Sequence, residues 1–253
     1  MNPNPTPALA TRALRKSFGS LAAADGIDFE LPRGARHALI GPNGAGKTTL
    51  INLVTGMLAP DSGTILLGGD EITALKPAER VKRGLARTFQ INALFPNLSA
   101  LESVILAVCE RQNCAGSWWR SLPSYREAVD EAYALLASVH LGDLCHRLTR
   151  ELAYGQQRLL EISLALAAKP SVLLLDEPAA GVPREESAAL YSAISGLSED
   201  ITVLFIEHDM DIVFRFASRI VVMAGGSVLL EGTPSEIGAD ERVREIYLGH
   251  GRG

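Results

Sequence analysis

Cysteine, basic charge and long apolar runs are all scarce in this chain, and each scarcity excludes a class of protein. The 253 residues include three cysteines, Cys109, Cys114 and Cys145, an odd number without the spacing of a metal site. We therefore expect reduced thiols, as in the cytosol. No apolar run reaches the roughly eighteen residues that a membrane-spanning helix needs. The first residues, MNPNPTP, lack the basic and then apolar pattern of a secretion signal.

Acidic residues outnumber basic ones, 29 against 24, which gives a formal net charge of −5. Such a surface has no general attraction for nucleic acid or anionic lipid, so we expect no nucleic-acid partner. The chain is nevertheless long and 47% hydrophobic, which is enough to bury a large core. The composition thus favours a globular protein whose function depends on local motifs.

The stretch GPNGAGKTT at Gly41–Thr49 fits the phosphate-loop pattern G-x-x-x-x-G-K-[ST]. A short apolar segment, His37–Ile40, precedes it, and apolar spacing predicts a helix from Thr48 to Thr55. Glycines let backbone N–H groups converge on phosphate oxygens at the helix N-terminus. Lys47 would reach the β- and γ-phosphates of ATP, and the Thr48 hydroxyl would ligate Mg²⁺. The residues predicted to bind ATP here are Gly41, Asn43, Gly44, Ala45, Gly46, Lys47, Thr48 and Thr49.

The stretch VLLLDEP supplies two acidic residues directly after an apolar run. All four residues of Val172–Leu175 are apolar, which is typical of a strand buried on both faces of a parallel sheet. Asp176 then falls at the carboxyl edge of the sheet, where α/β folds bind ligands. We expect Asp176 to hold Mg²⁺ and Glu177 to act as general base toward water. A helix N-cap with a neighbouring surface charge is the alternative.

A third stretch, LAYGQQ at Leu152–Gln157, completes a set that resembles a known family. With Gly41–Thr49, Gln90, Asp176-Glu177 and His208, it resembles the nucleotide-binding subunit of an ATP-binding cassette (ABC) transporter. The resemblance covers roughly residues 8–249. It implies ATP and Mg²⁺ as cofactors and hydrolysis of ATP as the reaction.

The resemblance also assigns individual roles. It implies that Phe18 stacks on adenine, that Gln90 contacts Mg²⁺ and the membrane partner, and that His208 contacts the γ-phosphate. It implies Glu177, His208, Lys47 and Gln90 as catalytic residues and Thr48, Gln90 and Asp176 as metal ligands. A structural histidine is the alternative for His208. The signature segment, implied to contact the γ-phosphate held by a second protomer, comprises Leu152, Ala153, Tyr154, Gly155 and Gln156.

Two positions depart from the family pattern. Ala153 stands where a signature serine donates a hydrogen bond across the dimer, a loss of roughly 1 kcal/mol or more. Pro183 stands where an aspartate usually crosses the dimer. Both changes place fast basal turnover in question more than ATP binding.

The segment pattern predicts an α/β fold: a P-loop ATPase core with a mostly parallel sheet, an N-terminal antiparallel β layer and an inserted helical subdomain. The core is assigned to residues 8–91 and 157–249, the helical signature subdomain to 92–156 and a flexible tail to 1–7. Within the subdomain, helices are predicted at Ser99–Glu110 and Tyr125–Val139. The predicted strands are the chain up to about Arg15, Ile27–Leu31, Ala38–Ile40, Ala86–Phe89, Val172–Leu175, Val203–Ile206, Ile220–Met223 and Ser227–Leu230.

Several strings are similar to the branched-chain amino-acid importer ATPases, among them ARTFQINALFPNLSALESV and the Tyr247–Gly249 end. The resemblance implies transmembrane permease subunits, a second ABC ATPase as hetero- or homodimer partner, and indirectly an external solute-binding protein. It places the chain on the cytoplasmic face of the inner membrane. Importers of amides, urea or aromatic acids remain an alternative, as do a lipid exporter and a soluble non-transport ABC ATPase.

Two apolar pairs are candidate contacts for the membrane partner. Leu94 and Phe95 follow Gln90 closely and could receive a coupling helix, with core packing as the alternative. Trp118 and Trp119 could contact the partner or lipid headgroups, although packing within the lobe is favoured.

Overall fold

The computed structural model describes residues 6–88, 94–112 and 126–248. The strands are β1 (Leu9–Phe18), β2 (Leu21–Leu31), β3 (Arg36–Ile40), β4 (Ser62–Leu67), β5 (Asp70–Glu71), β6 (Leu85–Arg87), β7 (Val172–Asp176), β8 (Thr202–Ile206), β9 (Arg219–Ala224) and β10 (Ser227–Gly232). The helices are α1 (Lys47–Thr55), α2 (Pro77–Lys82), α3 (Ala100–Arg111), α4 (Arg126–Ser138), α5 (Tyr154–Leu166), α6 (Arg184–Ser195), α7 (Met210–Phe216), α8 (Pro234–Ala239) and α9 (Glu241–Leu248). Among the described residues, no helix is both long and apolar enough to cross a bilayer.

The N-terminal strands form a four-stranded antiparallel sheet in the order β2-β1-β4-β5. Phe18 pairs with Leu21 across the turn that joins β1 to β2. Gly19 in that turn has φ 61°, a left-handed conformation that glycine adopts without strain. The tight turn therefore holds Phe18 and Leu21 side by side at the tip of the hairpin.

The second sheet has six strands in the order β10-β9-β3-β8-β7-β6. Its pairs are parallel except for β9 with β10, which run antiparallel. Strands β3, β7 and β8 are almost wholly buried, as expected where both faces of a parallel sheet are covered. Because neighbouring parallel strands end at the same edge, the segments that follow β3, β7 and β8 meet there.

Successive side chains of the parallel strands enter two different hydrophobic clusters. Leu39 and Leu174 belong to a cluster shared with α1 and the antiparallel sheet. Ala38 and Leu173, one residue earlier in each strand, belong to a cluster shared with α3, α4, α5 and α6. The parallel sheet thus lies between a β layer and a helical layer, which confirms the predicted fold class.

Between β6 and β7 the described chain contains helices and short 3-10 turns but no named strand. The helices predicted at Ser99–Glu110 and Tyr125–Val139 correspond to α3 and α4, each within about a residue at either end. The signature helix begins at Tyr154. The domain boundaries and the flexible tail stay predictions. The sequence interpretation did not include β4, β5, α2, α6 or α7.

Candidate functional site

The phosphate loop connects β3 to α1, as the motif predicts. Gly46 is the N-cap of α1 with φ 99°, and a Cβ there would lie 2.4 Å from the carbonyl oxygen of Ala23. A Cβ on Gly41 would lie 2.4 Å from the carbonyl oxygen of Met223. Side chains at these two glycines would therefore collide with backbone. The α1 N-cap has no side-chain hydrogen bond, so the first turn presents its N–H groups to an anion.

Lys47 occupies the first position of α1. Its Nζ donates hydrogen bonds to the carbonyl oxygens of Gly41, at 2.7 Å, and Pro42, at 3.1 Å. Burial lowers the pKa of Lys47, while the charges of Glu177 and Asp176 act in the opposite direction. The ammonium group therefore lies at the base of the loop, within the electric field of both acidic residues.

An open cleft of about 300 Å³ collects most of the predicted ATP-binding residues. Phe18 lies at its rim with 51% of its surface exposed, which leaves the ring available for stacking. Leu21, the partner of Phe18 in the hairpin, is also exposed. The predicted residues that line this cleft are Phe18, Asn43, Gly44, Ala45, Gly46, Lys47, Thr48, Thr49, Asp176 and Glu177.

Asp176 ends β7 and is held by a residue that the sequence interpretation missed. Arg87 donates from Nη2 to Asp176 Oδ2 at 2.7 Å and from Nη1 to Asn52 Oδ1 at 2.8 Å. Both members of the ion pair are largely buried, which favours a fixed geometry. Only the pairing of β6 with β7 reveals this contact, because the two residues are far apart in sequence.

Glu177 has a positive φ of 48°, an unusual conformation for a residue other than glycine. Its N–H donates to the carbonyl oxygen of Ile206 at 3.1 Å, which ties it to the end of β8. The next helix begins only at Arg184, with Pro183 as N-cap. The acidic pair therefore does not cap a helix, and the alternative interpretation of these residues is wrong.

His208 follows β8, and its side chain is 73% exposed. Its Nδ1 lies 4.0 Å from Glu177 Oε1 and 3.7 Å from Oε2 of the adjacent Glu207. Glu207, in contrast, is buried, with 2% of its side chain exposed. The position of Glu207 directly after an apolar strand was the available signal, and the sequence interpretation did not use it.

The signature segment starts α5 and is not among the residues that line the cleft. Ala153 is the N-cap and has no oxygen with which to cap the helix. Gln156 Oε1 accepts a hydrogen bond from the Ala153 N–H at 3.0 Å. The Gly155 N–H donates to Glu186 Oε2 at 3.3 Å, so a carboxylate already rests at this helix N-terminus. Tyr154 lies beside Arg158, whose Nη2 donates to the Tyr154 hydroxyl at 2.5 Å.

Some predicted residues lie outside the described part of the chain: Gln90, Cys114, Trp118 and Trp119.

The two candidate docking residues, Leu94 and Phe95, differ in their exposure. Leu94 is partly buried and packs against the hydrophobic cluster shared with α3, α4, α5 and α6 (the helical-layer cluster), whereas Phe95 is 61% exposed. Within residues 6–88, 94–112 and 126–248, no group of three or more His, Cys, Asp or Glu side chains is placed to hold a metal ion by itself.

Comparison with known proteins identifies the class. A profile of the family described as ABC transporter matches residues 24–180, more than half of the chain. The structure of the ADP conformation of MJ1267, an ATP-binding cassette of an ABC transporter, is similar with a TM-score of 0.84 and 33% identity. That likeness covers 96% of this chain and 99% of MJ1267. The chain therefore belongs to the ABC transporter family, as an ATP-hydrolysing subunit.

The relatives indicate which type of ABC transporter subunit the chain is. The high-affinity branched-chain amino acid transport ATP-binding protein BraF of Pseudomonas aeruginosa is 38% identical over 252 residues, covering 96% of this chain and 98% of BraF. LivG of Escherichia coli K12, with the same description, is 37% identical with the same coverage. A profile described as branched-chain amino acid ATP-binding cassette transporter matches residues 227–252. Within the ABC family, the chain is an ATP-binding subunit of the branched-chain amino acid type.

Proposed function

We propose that this chain binds ATP with Mg²⁺ in the cleft between the hairpin tip and the phosphate loop, and that its ATP hydrolysis energises import of branched-chain amino acids or close relatives. The observation that carries the proposal is the cleft itself. It brings an exposed aromatic ring, the loop of α1 and the two acidic residues after β7 into one space. ATP requires these same three elements, one for its base, one for its phosphates and one for its metal and water.

Each residue of the cleft has a role in this proposal. Phe18 stacks on adenine, and Lys47 with the N-terminus of α1 binds the β- and γ-phosphates. Glu177 accepts a proton from the attacking water. His208 is close enough to Glu177 to contact the γ-phosphate beside it.

The oxygen donors of the cleft fit Mg²⁺. Thr48 contributes a hydroxyl and Asp176 a carboxylate, and Mg²⁺ prefers oxygen ligands together with water and phosphate. Two protein ligands suffice for such an ion, because the nucleotide and water fill the remaining positions. When bound, the ion would neutralise phosphate charge as it develops. Gln90, outside the described residues, is proposed as a further ligand.

The signature segment indicates that two ATPase chains cooperate. Its residues do not line the cleft of their own chain, yet Gly155 offers an N–H at a helix N-terminus. We infer that this N–H serves a nucleotide bound by a second ABC ATPase. In the dimer, the phosphate of the partner's nucleotide would take the place of the Glu186 carboxylate.

The remaining partners are proposed from the relatives. Permease subunits would cross the membrane, an external binding protein would deliver the solute, and the chain would lie on the cytoplasmic face of the inner membrane. Exposed Phe95, five residues after Gln90 in the sequence, is the candidate contact for a permease helix.

Transport in a deletion strain tests the proposed function. Uptake of labelled leucine should fall when the chain is deleted, return with the wild-type chain and stay low with Lys47→Ala. Affinity capture from detergent-solubilised membranes should recover two permeases and a second ABC ATPase with the chain. Loss of urea or amide uptake with normal leucine uptake would assign the chain to the alternative group. Recovery from the soluble fraction alone, without a membrane partner, would remove the transport role.

A further inference from the structure

We propose that Glu207 is a positioning residue for ATP hydrolysis. Its carboxylate holds two parts of the chain in a fixed relative position, the segment that follows Glu177 and the backbone of His208. The inference rests on the proposed roles of Glu177 and His208. Glu207 itself lines no part of the cleft. Its action is indirect, through the residues that its carboxylate holds.

The two carboxylate oxygens of Glu207 face different segments. Oε1 accepts hydrogen bonds from the Tyr191 hydroxyl at 2.6 Å and from the Ala179 N–H at 3.4 Å. Oε2 accepts from the His208 N–H at 3.2 Å and lies 3.7 Å from His208 Nδ1. Ala179 comes two residues after Glu177. One side chain therefore connects the segments that carry the proposed general base and the γ-phosphate contact.

The buried charge indicates a role beyond packing. With 2% of its side chain exposed, Glu207 is as buried as the surrounding core. Taking a carboxylate out of water costs several kcal/mol unless hydrogen bonds compensate. Among the described residues, its only ion-pair candidate is His208. An apolar residue here would leave the Tyr191 hydroxyl and the N–H groups of Ala179 and His208 without this acceptor, so the carboxylate is what joins the two segments.

Tyr191 anchors the network to the core. Its ring lies edge-on to Phe205 at 5.4 Å between centroids and stacked on Phe216 at 5.3 Å. Burial, followed by the charge of Glu207, raises the pKa of Tyr191 well above its ordinary range, so the hydroxyl remains a donor. Because Tyr191 lies on α6, this helix fixes the position of the Glu207 carboxylate. The carboxylate in turn fixes the segments that contain Ala179 and His208.

Two substitutions change the hydrogen bonds of the Glu207 carboxylate to different extents. Glu207→Gln keeps the shape of the side chain but has one acceptor oxygen and one NH₂ donor. Whichever way the amide turns, a donor then faces either the His208 N–H or the Tyr191 and Ala179 donors. Tyr191→Phe removes a single O–H donor and keeps both ring contacts. Glu131→Gln on α4 is the matched control, because Glu131 is half-buried and paired with Arg111, remote from the cleft.

The readouts are the dissociation constant for ATP, and kcat and KM for hydrolysis in the assembled transporter. We expect Glu207→Gln to bind ATP within about twofold of wild type and to lose at least tenfold in kcat at unchanged KM. Tyr191→Phe should lose several-fold in kcat, and the double variant should be no worse than Glu207→Gln alone, because the pair acts as a unit. Glu131→Gln should match wild type.

The proposal is overturned if kcat of Glu207→Gln stays within about twofold of wild type, or if its loss only follows a reduced folded fraction. If Glu207→Gln does not fold, Tyr191→Phe decides alone: a several-fold loss in kcat supports the proposal and an unchanged kcat overturns it. Failure of the proposed roles on which this inference rests is distinguishable, since Glu177→Gln would then hydrolyse ATP rapidly whatever the effect of Glu207→Gln.

Discussion

At the scale of single residues, the functional residues of the cleft are held in position by hydrogen bonds with their neighbours. Lys47 lies under the phosphate loop, held by two carbonyl oxygens that a phosphate could replace as partners. Asp176 is directed by Arg87, and Glu177 by the backbone at the end of β8. Small changes at these positions are therefore expected to alter chemistry much more than stability.

Lys47→Ala should weaken ATP binding at least tenfold and abolish measurable hydrolysis, because it removes the ammonium proposed to bind the β- and γ-phosphates. Equilibrium binding of a fluorescent ATP analogue measures the effect. Lys82→Ala, which removes an exposed ammonium on α2, is the control and should bind ATP normally. Near-normal hydrolysis by Lys47→Ala would contradict the site assignment.

Glu177→Gln should bind ATP with wild-type affinity but hydrolyse it at least tenfold more slowly, because the amide cannot accept the proton of the attacking water. Single-turnover hydrolysis separates this loss from product release. Glu199→Gln makes the same chemical change at an exposed position and should leave the rate unchanged. Rapid turnover by Glu177→Gln would assign the general base elsewhere.

At the scale of elements, the signature helix shows how an N-terminus can serve two purposes. Leu160 and Leu166 bury one face of α5 in the helical-layer cluster. The other purpose belongs to the first turn, where Ala153 provides no cap and Gly155 meets Glu186. Packing therefore stabilises the helix, while its N-terminus keeps backbone donors for an anion.

Gly155→Ala should leave stability nearly unchanged and reduce ATPase activity of the dimer at least tenfold. Alanine is favoured over glycine in a helix by about 1 kcal/mol. The new Cβ would lie 2.5 Å from Glu186 Oε2, the end of a flexible side chain that can turn away. The same Cβ would stand beside the N–H that is proposed to contact the phosphate of the second protomer's nucleotide. Thermal unfolding measures the effect on stability, and the ATPase rate of the dimer measures the effect on activity.

Gly142→Ala is the control for that substitution, because a Cβ at Gly142 has its nearest contacts at 3.5 Å. Its thermal stability and its ATPase rate should both match those of wild type. Full activity of Gly155→Ala in the assembled dimer would remove Gly155 from the proposed phosphate contact.

The elements also show what sequence reasoning can reach. The phosphate loop and Val172–Asp176 could be predicted because each motif lies on one strand and its following turn, within a few residues of sequence. The partners of Arg87 and Glu207 could not, since these partners lie on other strands and helices and are met only in the folded chain. Glu186 was missed for the same reason, because α6 itself was not predicted.

At the scale of the whole molecule, one buried histidine links stability to pH. His37 in β3 is 2% exposed, and its Nδ1 has no hydrogen-bond partner among the described residues. Burial, followed by the charge of Arg219, lowers the pKa of His37 from 6.5 to about 4. The unfolded chain therefore binds a proton between these values that the folded chain does not, so folding stability falls as pH decreases from about 6.5 toward 4.

His37→Asn should reduce this acid sensitivity. Between pH 7 and pH 5 the wild-type chain should lose about 2 kcal/mol of unfolding free energy through His37 alone. Urea unfolding at both pH values should show a correspondingly smaller loss in the variant. His140→Asn is the control, because His140 is exposed and has φ 64°, a conformation that asparagine accepts. Equal pH dependence of wild type and His37→Asn would exclude the linkage.

The pairing of β6 with β7 has a consequence for how such proteins can diversify. The chain leaves the parallel sheet after Arg87 and returns at Val172 on the neighbouring strand, with Leu85 opposite Val172. Neighbouring strands are about 4.8 Å apart and the two ends are offset by two residues along the parallel pair, so the intervening stretch begins and ends within roughly 8 Å. Doubling the length of such an excursion adds only about 0.6 kcal/mol of closure entropy. Evolution, or a protein engineer, can therefore graft a different excursion onto this sheet and change the surface it presents while the strands beside the phosphate loop keep their register.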